Sequence, residues 1–158
     1  MTHRIRPSPI AEIRDVAAPL LRAHWEEVAK NKHLMVLDPD WRYYEHLEAV
    51  GRLSPFSAWF DGKLVGYSVS IFFPKHPHYS GLAVMQNDVI YVAPECRGAK
   101  LEGTGRGLGR ELVDATLADA KQRGARLVLM HAKPGTALDR CLPKWGFAVQ
   151  DIIYSIEV

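Results

Sequence analysis

Residues 87–112, NDVIYVAPECRGAKLEGTGRGLGREL, restrict the fold more than any other stretch of the chain. The apolar run Val89 to Val92 reads as a strand. Pro94 turns it, a loop crowded with glycine follows, and an amphipathic helix opens near Arg106. Gly105, Gly107 and Gly109 alternate where that helix begins, so main-chain N–H groups can approach a ligand with no Cβ in the way. The first N–H groups of a helix have no partner within it, and the macrodipole adds about half a positive charge there. Arg97, Lys100, Arg106 and Arg110 add side-chain charge. The leading ligand is therefore a nucleotide or coenzyme pyrophosphate, and the plain alternative is a flexible strand-to-helix connection.

Spacing sets two phosphate-binding patterns aside. A nucleotide-hydrolase phosphate loop needs Gly, four intervening residues and then Gly-Lys-Ser or Gly-Lys-Thr, and no Lys-Ser or Lys-Thr pair follows these glycines. The dinucleotide fingerprint needs two residues between its second and third glycines, whereas these alternate strictly.

A chain of 158 residues is expected to form one domain with a real core. Its 47% hydrophobic and 24% charged content is that of an ordinary globular protein. A net charge of +2 is too small to argue for a nucleic-acid or membrane partner, and basic residues gathered at one glycine loop suit a polyanionic cofactor better than a duplex. Cys96 and Cys141 lack ligand-like spacing, so neither a disulfide nor a zinc site is expected. No signal core or bilayer-length apolar run occurs, which predicts a cytoplasmic protein.

Taken in order, His3 to Arg6 is a short strand candidate, and Ser8-Pro9 reads as a hydroxyl cap followed by proline at the first helical position. Ile10, Ile13, Ala17, Leu20, Leu21 and Trp25 recur at helical spacing, with Pro19 expected to kink or split the helix. A second helix is capped by Asp38, opened by Pro39 and closed by Gly51. Phe56 to Phe60 and Leu64 to Phe73 flank Asp61-Gly62, a strong hairpin signal. Alternation of Val65, Tyr67, Val69, Ile71 and Phe73 with Gly66, Ser68 and Ser70 predicts one packed face, and Leu82 to Val92 returns as a long strand.

After the glycine helix, whose stripe is Leu108, Leu112, Val113, Ala115 and Leu117, Arg126 to His131 reads as a buried strand. Strand, helix and strand in that order make a crossover unit, so these two strands should be parallel. Thr136 to Lys144 is a short helix interrupted by Pro143, and Phe147 to Val149 with Ile152 to Ile156 is expected to finish as a strand pair. The fold class is α/β (α+β): a mixed, mostly antiparallel sheet with a parallel central pair and helices on both faces. His76, His78 and Tyr79 lie in a proline-flanked turn whose spacing does not suit a metal.

The strand ending YVAPECRG, the helix opening GRGLGREL and a later KWGF resemble the GNAT superfamily of acetyl-CoA-dependent N-acyltransferases. Patches such as HWEEVAKNK, MQND and HAKPGTALD are also similar to phage- and prophage-encoded members. The resemblance implies that Ile90, Tyr91 and Val92 line the pantetheine arm of acetyl-CoA. A backbone N–H near Tyr91 or Val92 would polarise the thioester. Arg97, Thr104, Gly105, Arg106, Gly107, Leu108, Gly109 and Arg110 would surround the pyrophosphate. It also implies that the early helices form a wall of the acceptor cleft, making His24, Glu26, Glu27, Asp38, Asp40 and Tyr44 substrate-side candidates. A solvated helix face is the plain alternative for each of them.

Acyl transfer from a thioester to an amine needs a held thioester, a neutral amine and a donor for the developing oxyanion. Asp88 is the first candidate for the base, because strand alternation puts it on the side of Leu82, Val84, Ile90 and Val92, where partial burial should raise its pKa. His131, at the end of the neighbouring strand, is the second, with a satisfied core histidine as its plain alternative.

Three positions depart from the family pattern. Leu142 stands where a tyrosine often serves as acid, Thr104 where Arg or Gln opens the pyrophosphate turn, and Gly135 where Asn starts the short helix. The expected reaction is transfer from acetyl-CoA to an amine by direct attack, with no metal. The alternatives are a non-catalytic acyl-CoA-binding protein or a nucleic-acid-modifying protein of this fold, and a homodimer is left open.

Overall fold

The computed structural model describes residues 3–158. Five strands, β1 (His3–Pro7), β2 (Leu53–Phe60), β3 (Lys63–Phe73), β4 (Val84–Val92) and β5 (Leu127–Leu129), form one sheet in the order β1-β2-β3-β4-β5. The first four are antiparallel to their neighbours and β5 runs parallel to β4. The helices are α1 (Ile10–Val16), α2 (Ala18–Val28), α3 (Trp41–Ala49), α4 (Leu108–Gln122) and α5 (Ala137–Cys141).

Pro19 splits the first helix as its missing N–H requires: α1 ends at Val16, and Pro19 falls in the first turn of α2, where that N–H has no partner to lose. Two caps differ from expectation. The Ser8 hydroxyl is buried against Ser57 of β2 and accepts from Arg6 Nη1 at 2.9 Å, so it is unavailable to α1, which begins at Ile10 after Pro9. Asp40 caps α3 instead of Asp38, its Oδ1 accepting from Tyr43 N at 3.0 Å. Asp61 and Gly62 both have positive φ, 46° and 76°, as the tight β2–β3 hairpin demands.

One face of the sheet packs Val69 and Leu53 against Ile10, Ile13 and Ala17 of the α1–α2 region and Leu47 of α3. The other packs Ala58, Val65 and Val92 against Leu108 and Leu112 of α4. Both faces are thus covered, and β3 is not packed on one face only: Gly66, Ser68 and Ser70 are buried beneath α4, with Ser68 Oγ 3.1 Å from Thr116 Oγ1. Gly66 is small of necessity, since a Cβ would sit 3.0 Å from the Tyr91 carbonyl oxygen. Ala115 and Leu117 are partly buried, while the deepest positions of α4 also include Thr116 and Ala120.

Two other expectations fail. The fifth strand is shorter than Arg126 to His131, and Leu127 is exposed because, among the described residues, no strand pairs beyond β5. The terminal strand pair does not form. Ile152, Ile153, Tyr154 and Ile156 are 70–87% exposed, since β propensity cannot make a strand without a neighbour to complete its hydrogen bonds.

Candidate functional site

The site is built where β4 and β5 part. Their parallel ladder covers only Val84 to Gln86 against Leu127 to Leu129, so the longer β4 continues to Val92 with no strand on that side. Asn87 enforces the separation: its buried side-chain oxygen accepts the His131 N–H, which would otherwise be free to extend the ladder.

Asp88 lies at a β-bulge. Val69 pairs with Val89 and Ser70 with Asn87, leaving Asp88 as the extra residue of β4. A bulge reverses the alternation. Ile90 opposes Ser68 and Val84 opposes Phe73, five residues along a regular strand, so Ile90 and Val84 face opposite sides of the sheet. The expected shared face of Leu82, Val84, Asp88, Ile90 and Val92 is therefore broken. Asp88 is exposed rather than partly buried, and its carboxylate accepts a hydrogen bond from the Tyr44 hydroxyl of α3. Burial first, then the Asp88 carboxylate, pushes the Tyr44 phenol upward, so it remains a protonated donor.

Beside this pair lies a denser polar cluster on the α2 side. His24 Nδ1 is 2.7 Å from the Tyr67 hydroxyl, and the imidazole stacks on Tyr91 with ring centroids 4.5 Å apart. Burial holds the His24 imidazole well below its ordinary range, at about 4. Glu27 Oε2 accepts from the Tyr91 hydroxyl at 2.9 Å and from Arg97 Nη2 at 2.6 Å, and Arg97 Nε donates to the Val92 carbonyl at 3.0 Å. The Arg97 guanidinium holds the Glu27 carboxyl below the usual carboxylate range. The sequence singled out His24, Glu27, Tyr91 and Arg97 separately. Tyr67 carries no site signal in the sequence because its strand reads as ordinary core.

Beyond Val92 the glycine loop leads into α4, which starts at Leu108, with Gly107 at its N-cap position, close to the expected opening near Arg106. Part of the loop satisfies itself: Gly105 N donates to Leu101 O at 3.0 Å, Arg106 N to Thr104 Oγ1 at 3.2 Å and Leu108 N to Ala99 O at 3.4 Å. Among the described residues the N–H groups of Gly107, Gly109 and Arg110 have no such partner. A Cβ on Gly107 or Gly109 would meet no atom closer than 3.9 Å, so the approach is open. No side chain caps this helix. Burying Leu108, Leu112 and Val113, at about 1.5–3 kcal/mol each, outweighs the ~1 kcal/mol a cap would add, so packing leaves these donors free for a ligand.

The surrounding charge is less mobile than expected. Arg106 and Arg110 both pair with Asp114, at 2.8 Å each, Arg110 also lies over the Trp145 ring, and Arg97 is engaged by Glu27. The Thr104 hydroxyl donates to Glu111 Oε1 at 2.6 Å. Asp114 is legible in the sequence as an i,i+4 partner of Arg110, but its second pairing, with Arg106, depends on the fold. His131 is exposed, not a core histidine, and Leu142 is buried in the tyrosine position. Among the described residues no cluster of His, Cys, Asp or Glu has metal-binding geometry, and no helix is long and apolar enough to cross a membrane.

Comparison with solved structures supports the same fold. A ribosomal-protein-alanine N-acetyltransferase from Brucella melitensis biovar Abortus 2308 aligns over 99% of this chain and 98% of its own, with 24% identity and a TM-score of 0.65. A predicted acetyltransferase with acetyl-CoA from Clostridium acetobutylicum aligns over 98% and 96%, with 18% identity and a TM-score of 0.70. An aminoglycoside acetyltransferase from an uncultured soil metagenomic sample, in complex with sisomicin, aligns over 99% and 97%, with 15% identity and a TM-score of 0.68. No curated protein matches the sequence significantly. The model of the Acetyltransferase (GNAT) family matches residues 18–147, most of the chain, and the chain belongs to that family.

Proposed function

We propose that this protein is an N-acetyltransferase that moves an acetyl group from acetyl-CoA to a primary amine by direct attack. One observation carries the reading: the unpaired end of β4 is followed, through the glycine loop, by a helix start whose Gly107, Gly109 and Arg110 N–H groups lack partners among the described residues. Such a run of donors suits a pantetheine amide arm followed by a diphosphate. Ile90, Tyr91 and Val92 would hold the arm, and the 104–110 turn the pyrophosphate. Acetyl-CoA supplies the activated acyl group.

The chain's own residues supply the rest. Asp88 takes the amine proton, directly or through water, with its carboxylate held by Tyr44. His131, whose main chain is tied to the residue before Asp88, is the second proton acceptor. A main-chain N–H of β4 near Tyr91 or Val92 serves the developing oxyanion. His24, Glu27 and Tyr44 form the acceptor side of the cleft. Structural neighbours that acetylate an aminoglycoside or a ribosomal-protein alanine fit an amine acceptor without selecting one.

The buried Leu142 favours a second reading, a protein that binds acyl-CoA without turning it over, because no phenol stands there to protonate the leaving thiolate. Thiol release from acetyl-CoA across an amine panel separates the two. Turnover that is lost in Asp88→Ala, with coenzyme affinity retained, supports the enzyme. Coenzyme binding without release on any amine supports the second reading.

A further inference from the structure

Two helices meet the open end of β4. His24 and Glu27 of α2 bear on Tyr91, and Tyr44 of α3 holds Asp88. The loop between these helices, residues 29–40, therefore runs from one wall of the cleft to the other. Its middle is apolar and uncovered: Leu34, Met35 and Val36 are consecutive and 54–71% exposed. Trp25 Nε1 donates to the Met35 carbonyl at 2.6 Å, which fastens this stretch to α2 one residue from His24. On the first turn of α3, Tyr43 is half-exposed, its ring centroid 6.2 Å from that of Tyr44. Isolated apolar side chains on a surface are ordinary, but three in succession on a tethered loop between the walls of a cleft mark a contact surface.

Charge selects the ligand that suits it. Residues 24–44 hold four carboxylates against three Lys or Arg, so the wall is close to neutral. Most acidic groups near the cleft are already engaged: Glu26 pairs with Lys32 at 3.1 Å, Glu27 with Arg97 at 2.6 Å and Glu45 with Arg14, while Asp40 caps α3. Asp88 differs, because its partner is a neutral hydroxyl and, among the described residues, no cation offsets its charge. Asp38, exposed on the loop, is likewise unpaired among the described residues. A polycation would have to displace Lys32, Arg97 or Arg14 from its carboxylate and would meet Lys30 and Lys32 on the loop, so its extra charges gain little here.

We infer that the acceptor is a monoamine carried on an apolar body the size of a phenethyl group, its amino end at Asp88 and its body against Tyr43 and the Leu34–Val36 stretch. This rests on the acetyl-transfer reading above. The bound ammonium gives one proton to Asp88, and the nitrogen forms the C–N bond as the C–S bond breaks. The second proton it loses goes to the departing thiolate, which leaves as the thiol. Apolar area shed from water onto the patch adds binding that does not depend on charge, and the unbranched Met35 adapts to its outline.

The full chain with acetyl-CoA is assayed for thiol release with phenethylamine, ethylamine, spermidine, kanamycin and a peptide that begins with alanine. The kcat/KM for phenethylamine should exceed each of the others by roughly tenfold or more. Leu34→Glu/Val36→Glu alters two exposed residues, so the melting temperature and the KM for acetyl-CoA should hold, while the phenethylamine-to-spermidine ratio of kcat/KM should fall about tenfold. Equal or faster transfer to any of the other four amines overturns the acceptor assignment and leaves acetyl transfer standing, as does a ratio that the double variant does not move. No thiol release on any amine, with acetyl-CoA still bound in a titration, removes the acetyl-transfer reading and the acceptor with it.

Discussion

The Tyr44 hydroxyl donates to the Asp88 carboxylate, joining α3 to the bulge of β4. The sequence separates the two residues by 44 positions and places them in different arguments, one as a wall of the acceptor cleft and one as the base. The fold makes them a pair. Asp88→Asn should lower kcat/KM by about 10²–10⁴-fold, the range for loss of a general base. Tyr44→Phe should lower it about tenfold, because it removes one hydrogen bond to a charged group without touching the reacting atoms. Steady-state kinetics with a thermal melt tests this: the loss in both variants should fall on kcat with KM for acetyl-CoA unchanged, whereas a merely structural tyrosine would lower the melting temperature and move both constants.

Gly107 precedes the first residue of α4, and its Cβ direction is open, with the nearest atoms at 3.9 and 4.0 Å. Gly107→Glu should therefore fold with little change in melting temperature while placing a carboxylate beside the unpartnered N–H groups of the helix start. Calorimetric titration with acetyl-CoA should show binding abolished. Unchanged affinity would remove the coenzyme from this loop.

Gly66 lies under α4 where β3 meets β4. A side chain there meets backbone at 3.0 Å, Val92 Cγ2 at 3.2 Å and Ala58 Cβ at 3.4 Å. Gly66→Val should destabilise the fold by about 1–3 kcal/mol through overpacking, read by urea denaturation. Gly81, which has nothing within 4 Å, is the control: Gly81→Ala should shift the midpoint little.

His24 makes stability depend on pH. Its imidazole has an ordinary value of 6.5 and is held at about 4 in the folded chain, first by burial. Between these values the unfolded chain binds more protons, so stability falls as pH drops from about 6.5 to about 4, by on the order of 3 kcal/mol. Glu27, lowered by Arg97, acts in the same direction at the acidic end of that window. Denaturation midpoints measured from pH 7 to pH 4 should show this slope, and His24→Gln should flatten its upper part.

Much of this protein is written locally. The strand, glycine turn and helix of residues 87–112, the Asp61-Gly62 hairpin and the break at Pro19 follow from backbone sterics and short-range hydrogen bonding, which depend on a few neighbouring residues. The parallel β4–β5 pair follows from the intervening helix. What sequence could not supply is whatever depends on a distant partner. The Asp88 bulge exists only in register with β3, and Asn87 separates β4 from β5 only because the His131 N–H arrives there. Arg106, Arg110 and Arg97 look like free cations until Asp114 and Glu27 fold against them. The C-terminal residues have strand-like side chains and, within one copy, no neighbouring strand to complete their ladder. Alternation along a strand is local, but register, burial and pairing are set by contacts between segments far apart in the chain, and those contacts shape the cleft.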